Sequence, residues 1–412
     1  MELREDTYTI QNIPVQQLVE TYGSPLFVYD AAIMERQYNR LVKAFAGVDL
    51  RINYACKALG NINVLRYFRS LGSGLDTVSI QEVHLGLKAG FEPEAIIFTP
   101  NCVSLEEILE AVELGVRINI DNLSILEQFG ARVGGKYPVC VRINPHILAG
   151  GNHKISTGHI DSKFGISIHQ MRHLERIVKS LGIHVNGLHM HTGSEILDPD
   201  VFVRGAEILL NHATHFPDLE YLDFGSGFKV AYKPGEPETD VEEVGRRLVP
   251  ALQQFFKEYG RTLRLEFEPG KFLVSQSGTF FCTVNVIKQT TATVFAGVNT
   301  GLNHFIRPMF YDSYHHIVNV SNPGGRQRLY TVVGYICETD TFAWDRPLEE
   351  IKEGDTLAFL NAGAYLYTMS SNYNGRPRPA EVLILNGEHH LISKRESLKD
   401  LLRNQMDVKA LS

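Results

Sequence analysis

The sequence predicts a mixed α/β protein built as a (β/α)8 TIM barrel with a second, all-β sandwich domain. Three observations carry that reading. Between about residues 50 and 270, short apolar runs alternate eight times with amphipathic stretches. After Gly270 the long helical periods stop, and strand-like runs follow one another with Gly, Pro and Asn between them. The chain of 412 residues is longer than one small core needs and suits two domains.

Taken in order, residues 25–29 (Pro-Leu-Phe-Val-Tyr) form a strand that lies before the barrel yet is expected to pair with the β domain, and residues 30–45 read as a helix leading into the barrel. The eight apolar runs are 51–55, 74–78, 96–99, 117–120, 138–143, 185–191, 220–224 and 264–268. Most are rich in β-branched or aromatic residues, as strands prefer. Residues 80–89, 105–114, 169–181 and 241–259 carry apolar side chains at three- and four-residue spacing, the mark of helices with one buried face. An open doubly wound sheet is the alternative, and a count of eight favours the closed barrel. The later runs 279–287, 293–297, 329–334, 355–360 and 381–385 give the β domain its strands. The expected domains are therefore 31–270 for the barrel and 1–30 plus 271–412 for the sandwich.

Composition narrows the functional classes. A net charge of -7 argues against nucleic-acid binding, which needs a basic face. No apolar run approaches the roughly 18 residues that cross a membrane, and the charged start Met1-Glu2-Leu3-Arg4-Glu5-Asp6 does not read as a signal peptide. Cys56, Cys102, Cys140, Cys282 and Cys337 are odd in number, widely spaced and free of any CxxC pair, so free thiols in the cytoplasm are expected and no metal site.

In barrels, reactive groups gather where strands end. Lys57, just past the first run, is either a solvated charge or an amine able to form a Schiff base, which needs a partly desolvated site. Alternation puts His189 and His191, at the end of the sixth run, on one face; each is either a hydrogen-bonded core histidine or a flat surface for an aromatic cofactor. They lack a carboxylate at metal-ligand spacing in the sequence. Gly225-Ser226-Gly227 follows the seventh run, where barrels often hold phosphate, although such a pair by itself usually marks a turn. Glu268 ends the eighth run and needs a partner, either a salt-bridging cation or a protonated pyridine nitrogen. Together these supply the amine, ring surface, phosphate anchor and carboxylate that pyridoxal 5'-phosphate requires.

At this point the chain resembles the fold-type III pyridoxal-phosphate decarboxylases over nearly its whole length. The ordered motifs are Tyr54-Ala55-Cys56-Lys57-Ala58, Gly74-Leu75-Asp76 with Glu82, Arg142-Ile143-Asn144-Pro145, Lys163-Phe164-Gly165, His189 through Ser194, Asp223 through Phe228, Glu268-Pro269-Gly270, Arg307-Pro308 with Tyr311, Cys337-Glu338, Ala362-Gly363-Ala364-Tyr365 and the stretch 369–379. The resemblance implies that Lys57 joins the cofactor and His191 stacks on its ring. It implies that Ser194 and the Gly225-Ser226-Gly227 turn hold the phosphate, helped by Tyr365, that Gly270 and Lys271 also contact the cofactor, that Glu268 meets the pyridine nitrogen, and that Cys337 is the general acid. Lys271, Arg307, Tyr311, Glu338 and Tyr365 would surround the substrate, with Cys337 and Glu338 entering from the other subunit of a homodimer with shared sites. An arginine fork suits a distal carboxylate and a glutamate a distal ammonium. Meso-2,6-diaminopimelate carries both, so it is the expected small-molecule amino-acid substrate, losing CO2 at its D-centre to give L-lysine. The alternatives are a decarboxylase for ornithine, arginine or carboxynorspermidine, an inactive homologue acting as a regulator, and a cofactor-free Schiff-base aldolase, which would leave Glu268 and the phosphate turn unexplained. The chain departs from the family at Lys271, where arginine is common, at Ser226, where glycine is usual, and at Thr339-Asp340-Thr341. Residues 150–160, long and polar, are a candidate lid.

Overall fold

A computed structural model describes residues 1–147 and 162–411; the candidate lid at 150–160 lies outside the described residues. The chain divides into two compact units. One comprises Glu35–Ala231 and Glu236–Leu273, the other Met1–Met34, Tyr232–Gly235 and Val274–Ser412.

The first unit is the barrel. Its strands are Leu50–Ala55, Gly74–Thr77, Ile96–Phe98, Arg117–Ile120, Val139–Asn144, Val185–Met190, Tyr221–Asp223 and Arg264–Phe267. Each pairs in parallel with the next, and the last returns to the first through Phe267 opposite Ile52, which closes the ring. A short strand, Ile166–Ser167, adds to Val139–Asn144. The strands read as nearly continuous apolar runs because the outer face packs on helices and the inner face on the opposite wall. Among the outer helices, Val241–Tyr259 begins at Asp240, whose side chain accepts from the Glu243 N–H, and buries Val244, Leu248, Leu252 and Phe256 on one side. Gly245 is required there, since a Cβ would stand 2.1 Å from the Ala44 carbonyl oxygen.

The barrel interior is filled rather than hollow. Ile97, Cys140 and Tyr221 pack together. Beside Tyr221, Arg117 lies over the ring at 4.1 Å and pairs with Glu266 at 2.8 Å, and Asn53 donates to the same carboxylate at 2.7 Å. A buried glutamate is tolerable because an arginine and an amide meet it at once.

The second unit contains a nine-stranded sheet, joined by a three-stranded sheet formed from the N-terminal residues. Its central strand Leu26–Asp30 lies antiparallel to Gly278–Gln289 and parallel to Ala380–Leu385. The early strand therefore does pair with the β domain, as its apolar run predicts. Leu26 and Val28 pack in a core with Ile10, Leu18, Phe281, Val382 and Ile384. The alternate residue Phe27 packs on Phe280 at 4.5 Å, and Phe280 continues to Phe305 at 5.2 Å. Two buried faces explain why that run shows no polar alternation.

Candidate active site

Lys57 sits in a single 3-10 turn, Cys56–Ala58, immediately after the first barrel strand. Its ammonium lies 2.7 Å from Oδ2 of Asp76, a fully buried residue near the end of the second strand. The other Asp76 oxygen is buried without a protein partner. Burial, reinforced by Glu268, raises the Asp76 carboxyl above the ordinary aspartate range despite Lys57. Lys57 is thus tied to a buried acid, unlike a freely solvated surface lysine.

Four further strand ends converge on one polar cluster. Glu268 Oε2 lies 3.1 Å from His189 Nε2, and the Thr99 hydroxyl donates to Glu268 Oε1 at 3.4 Å. Asp223 Oδ1 accepts from the Gly225 N–H at 2.8 Å and stands 4.0 Å from His189 Nε2. Burial would raise the Glu268 carboxyl, but the bonded His189 and the Lys57 ammonium outweigh it and hold the group below its ordinary range. Burial, with Glu268 and Glu266 adding, pushes Asp223 well above the usual carboxylate range. Neighbouring acids in a dry site oppose one another's ionisation, and of these two it is Glu268 that the bonded His189 favours as the anion. The ligand atoms of His189, Asp223 and Glu268 all fall within 4.8 Å of one another. The sequence shows no carboxylate near His189 because these acids come from the seventh and eighth strands. In space they reach it, and the direct hydrogen bond makes His189 and Glu268 partners of one another.

His191 lies just past the end of its strand at Met190, so strict alternation does not govern it. The two histidines diverge in role. His189 serves the acid cluster, whereas His191 Nδ1 accepts from the Ser226 N–H at 3.1 Å. Burial, and then Arg142 and Lys57, press the His191 imidazole well below its ordinary pKa. It is a neutral ring fixed against the glycine turn. That turn needs its glycines. At Gly225 (φ +61) a Cβ would stand 2.5 Å from His191 Nδ1, and at Gly227 (φ +135) 2.9 Å from the Gly193 carbonyl oxygen. The Ile196 N–H donates to the Gly227 carbonyl at 2.8 Å, which ties the turn to the segment holding Ser194. Ser194 Oγ is buried with no protein partner. Lys271, following Gly270, pairs with Glu195 at 3.1 Å.

Of the two histidines that the sequence offers, His189 takes the hydrogen-bonded core role, and Asp76, Asp223 and Arg142, which the motifs include without a role, complete this cluster. An acid at the end of an apolar barrel strand was the signal available for Asp76 and Asp223.

The other candidate residues belong to the second unit. Arg307 opens a one-turn helix, Arg307–Tyr311, and is buried. Its guanidinium lies 5.3 Å from the Tyr311 ring and 5.8 Å from that of Tyr232, and its Nε has no partner. Cys337 and Glu338 are exposed in a loop after the strand Gln327–Val333. Tyr365 adopts φ +57, a left-handed backbone that marks a constrained turn.

The pyridoxal-binding domain of the pyridoxal-dependent decarboxylases matches residues 31–275. The chain belongs to the pyridoxal-dependent decarboxylase family. Among its relatives, the diaminopimelate decarboxylase of Methanothermobacter thermautotrophicus is 39% identical over 399 residues, covering 94% of this chain and 93% of that protein. The crystal structure of diaminopimelate decarboxylase from M. jannaschii in complex with L-lysine superposes with a TM-score of 0.92 at 28% identity, covering 100% of this chain and 98% of that one. The Helicobacter pylori enzyme complexed with L-lysine gives 0.86 at 31% identity, over 94% and 98% of the two chains.

A pyridoxal cofactor, which the family implies, fits these residues. The barrel offers an amine, an ionised carboxylate, a neutral imidazole face and a turn that admits no side chain. It also holds a buried hydroxyl, Ser194 Oγ, with hydrogen-bonding capacity unused by the protein. None of the described helices is long and apolar enough to cross a membrane.

Proposed function

We propose that this chain removes CO2 from the D-centre of meso-2,6-diaminopimelate and releases L-lysine, using pyridoxal phosphate. The observation that carries the reading is the convergence at the barrel's strand ends: the Lys57 amine after the first strand, bonded to Asp76, and the Glu268 carboxylate after the last, met by His189 at 3.1 Å and by the Thr99 hydroxyl. That arrangement suits a cationic pyridinium nitrogen at Glu268. Diaminopimelate decarboxylases aligned over most of the chain support the choice of substrate.

The residues that would hold the group are Lys57, His191, Ser194, Gly225, Gly227, Glu268, Gly270, Lys271 and Tyr365. When bound, pyridoxal phosphate supplies an aldehyde for an amine and a ring that accepts an electron pair. The protein's own part is geometric and electrostatic. Asp76 holds the Lys57 ammonium and is a resting place for its proton. Neutral His191 presents a flat face without competing charge. Ser194 Oγ and the N–H groups of the glycine turn suit an anion.

Arg307, buried with an open donor and with no carboxylate within ion-pair distance among the described residues, suits the distal carboxylate of the substrate, and Tyr311 flanks it. Glu338 suits the distal ammonium. Cys337 is the acid that returns a proton to the carbon. We assign the active form to a homodimer in which each subunit lends Cys337 and Glu338 to the other's barrel, and place it in the cytoplasm, where five free thiols stay reduced.

The test is CO2 release from meso-diaminopimelate, ornithine and arginine side by side. A strong preference for the first is expected. Preference for ornithine ends the substrate assignment, and a Lys57→Ala variant with wild-type kcat ends the cofactor assignment.

A further inference from the structure

We propose that Asn374 is a positioning residue that clamps the acid Cys337, while its neighbour Tyr373 holds Glu338, so that acid and substrate-binding carboxylate are aimed as one unit. The proposal rests on the assignment of Cys337 given above.

The loop carrying Cys337 is anchored below its tip. The Gly334 N–H donates to the Asp340 carbonyl at 2.9 Å, the Ile336 N–H to Asp340 Oδ2 at 3.2 Å, and the Asp340 N–H to the Glu338 carbonyl at 2.9 Å. Asp340 is buried, so the base of the loop is fixed while residues 337–339 are exposed. Exposed side chains lose rotamer freedom only when something grips them.

One amide grips Cys337 at both ends. The Cys337 N–H donates to Asn374 Oδ1 at 3.0 Å, and Asn374 Nδ2 donates to Cys337 Sγ at 3.1 Å. The backbone explains why asparagine stands there. Residue 374 has φ 56 and ψ 24, a left-handed conformation that asparagine tolerates better than most residues with a side chain. Glycine would fit the backbone but bring no amide. Next to it, the Tyr373 hydroxyl donates to Glu338 Oε1 at 2.8 Å and lies 3.8 Å from Cys337 Sγ. Glu338, and then Cys337, push the Tyr373 phenol up to about 12, so it remains a donor throughout the working pH range.

This arrangement matters when the proton moves. As the carboxylate departs as CO2, its bonding electron pair is left behind and is later used by the substrate carbon to bind a proton. The Cys337 S–H bond breaks, its proton forms the new C–H bond, and water later returns a proton to the sulfur. Asn374 Nδ2 occupies a lone pair of the sulfur and so leaves the S–H free to point elsewhere. The same bond strengthens once the sulfur is anionic, since charged acceptors make stronger hydrogen bonds.

The experiment uses the holoenzyme and Asn374→Gly, which keeps the left-handed backbone unstrained and removes only the amide. Expected are unchanged pyridoxal phosphate content, kcat lowered about tenfold or more, KM within about twofold of wild type, and loss of facial selectivity. In D2O the wild-type enzyme should place deuterium on one face of the new methylene, and the variant on both, read by NMR of the lysine formed. If Asn374→Gly does not fold, Asn374→Asp, which keeps Oδ1 and lacks the N–H donor, is read the same way. Wild-type kcat with one configuration overturns the clamp. A Cys337→Ala companion separates the two levels. If it retains wild-type kcat, the assignment of the acid fails and the clamp with it. If it is inactive while Asn374→Gly is unaffected, only the clamp fails.

Discussion

Replacing Gly225 by alanine tests the cofactor cradle most directly, because the structure supplies both the cost and the control. Residue 225 has φ +61, and a Cβ there would meet His191 Nδ1 at 2.5 Å, the Met190 carbonyl oxygen at 2.8 Å and His191 Cβ at 3.0 Å. The left-handed backbone alone costs an L-residue about 1–2 kcal/mol. The clash adds about 1–3 kcal/mol, as overpacking usually does, and the Met190 carbonyl cannot yield because it belongs to the barrel strand. Relief must come from His191, whose ring would swing away and release the Ser226 N–H. Gly182 provides the control: it has the same φ of +61 with nothing within 4 Å of its would-be Cβ. Gly182→Ala should therefore show only the backbone cost. Urea midpoints give the stability ranking, and absorbance titration of the apoenzyme gives cofactor affinity. Gly225→Ala should bind pyridoxal phosphate about tenfold to a hundredfold more weakly, with each factor of ten worth about 1.4 kcal/mol, whereas Gly182→Ala should bind it like wild type. Equal effects of the two variants on cofactor binding would refute the argument that the turn is shaped around His191.

Three more outcomes are expected. Glu195→Gln, which removes the anion pairing with Lys271 at 3.1 Å beside the phosphate cradle, should tighten pyridoxal phosphate binding by about threefold to tenfold in fluorescence titration, because a like charge near a phosphate is repulsive; weaker binding would show that Glu195 chiefly orients Lys271. Mixing inactive Lys57→Ala and Cys337→Ala proteins, with subunit exchange, should restore about a quarter of wild-type activity, since half the dimers would carry one intact site of two; no recovery counts against sharing between subunits. Acid should destabilise the sheet unit through His304 and His315, whose burial lowers their pKa to about 4 and about 3. Unfolded, each titrates near 6.5, so their contribution is complete above that pH and is lost as pH falls toward the folded values, at about 1.4 kcal/mol per unit for each group; a urea midpoint equally sensitive to acid in His304→Gln would refute this.

The barrel was legible because its strands are buried on both faces, so that apolar runs such as 117–120 and 264–268 stand out whatever their neighbours do. The sheet unit was less legible where its strands lie at edges. Thr341–Glu349 contains Pro347 and several charged residues, and among the described residues it pairs only with Gln327–Val333. Glu388–Ser393 is polar and, among the described residues, pairs only with Ala380–Leu385. Edge strands carry such residues because solvent, rather than a partner strand, meets them. Their sequences therefore look like loops, although their backbones are extended.

The candidate site divides along a similar line. Lys57, His191, Glu268 and the glycine turn could be found because each ends an apolar run, a local feature. The state of Glu268 could not. Its position admits a salt-bridged structural acid as readily as a pyridinium partner, and what separates the two is which neighbours face it. Those neighbours, His189 from the sixth strand, Asp223 from the seventh and Thr99 after the third, come together only when the ring closes. Had an arginine met Glu268 as Arg117 meets Glu266, the carboxylate would already be satisfied and unavailable to a cationic ring. What Glu268 hydrogen-bonds instead is an imidazole and a hydroxyl, with no direct guanidinium pair among the described residues. Glu266 within the last barrel strand and Glu268 just past its end thus meet different partners, and on the function proposed above that difference, which closure of the barrel brings about, is what leaves Glu268 open to a cofactor.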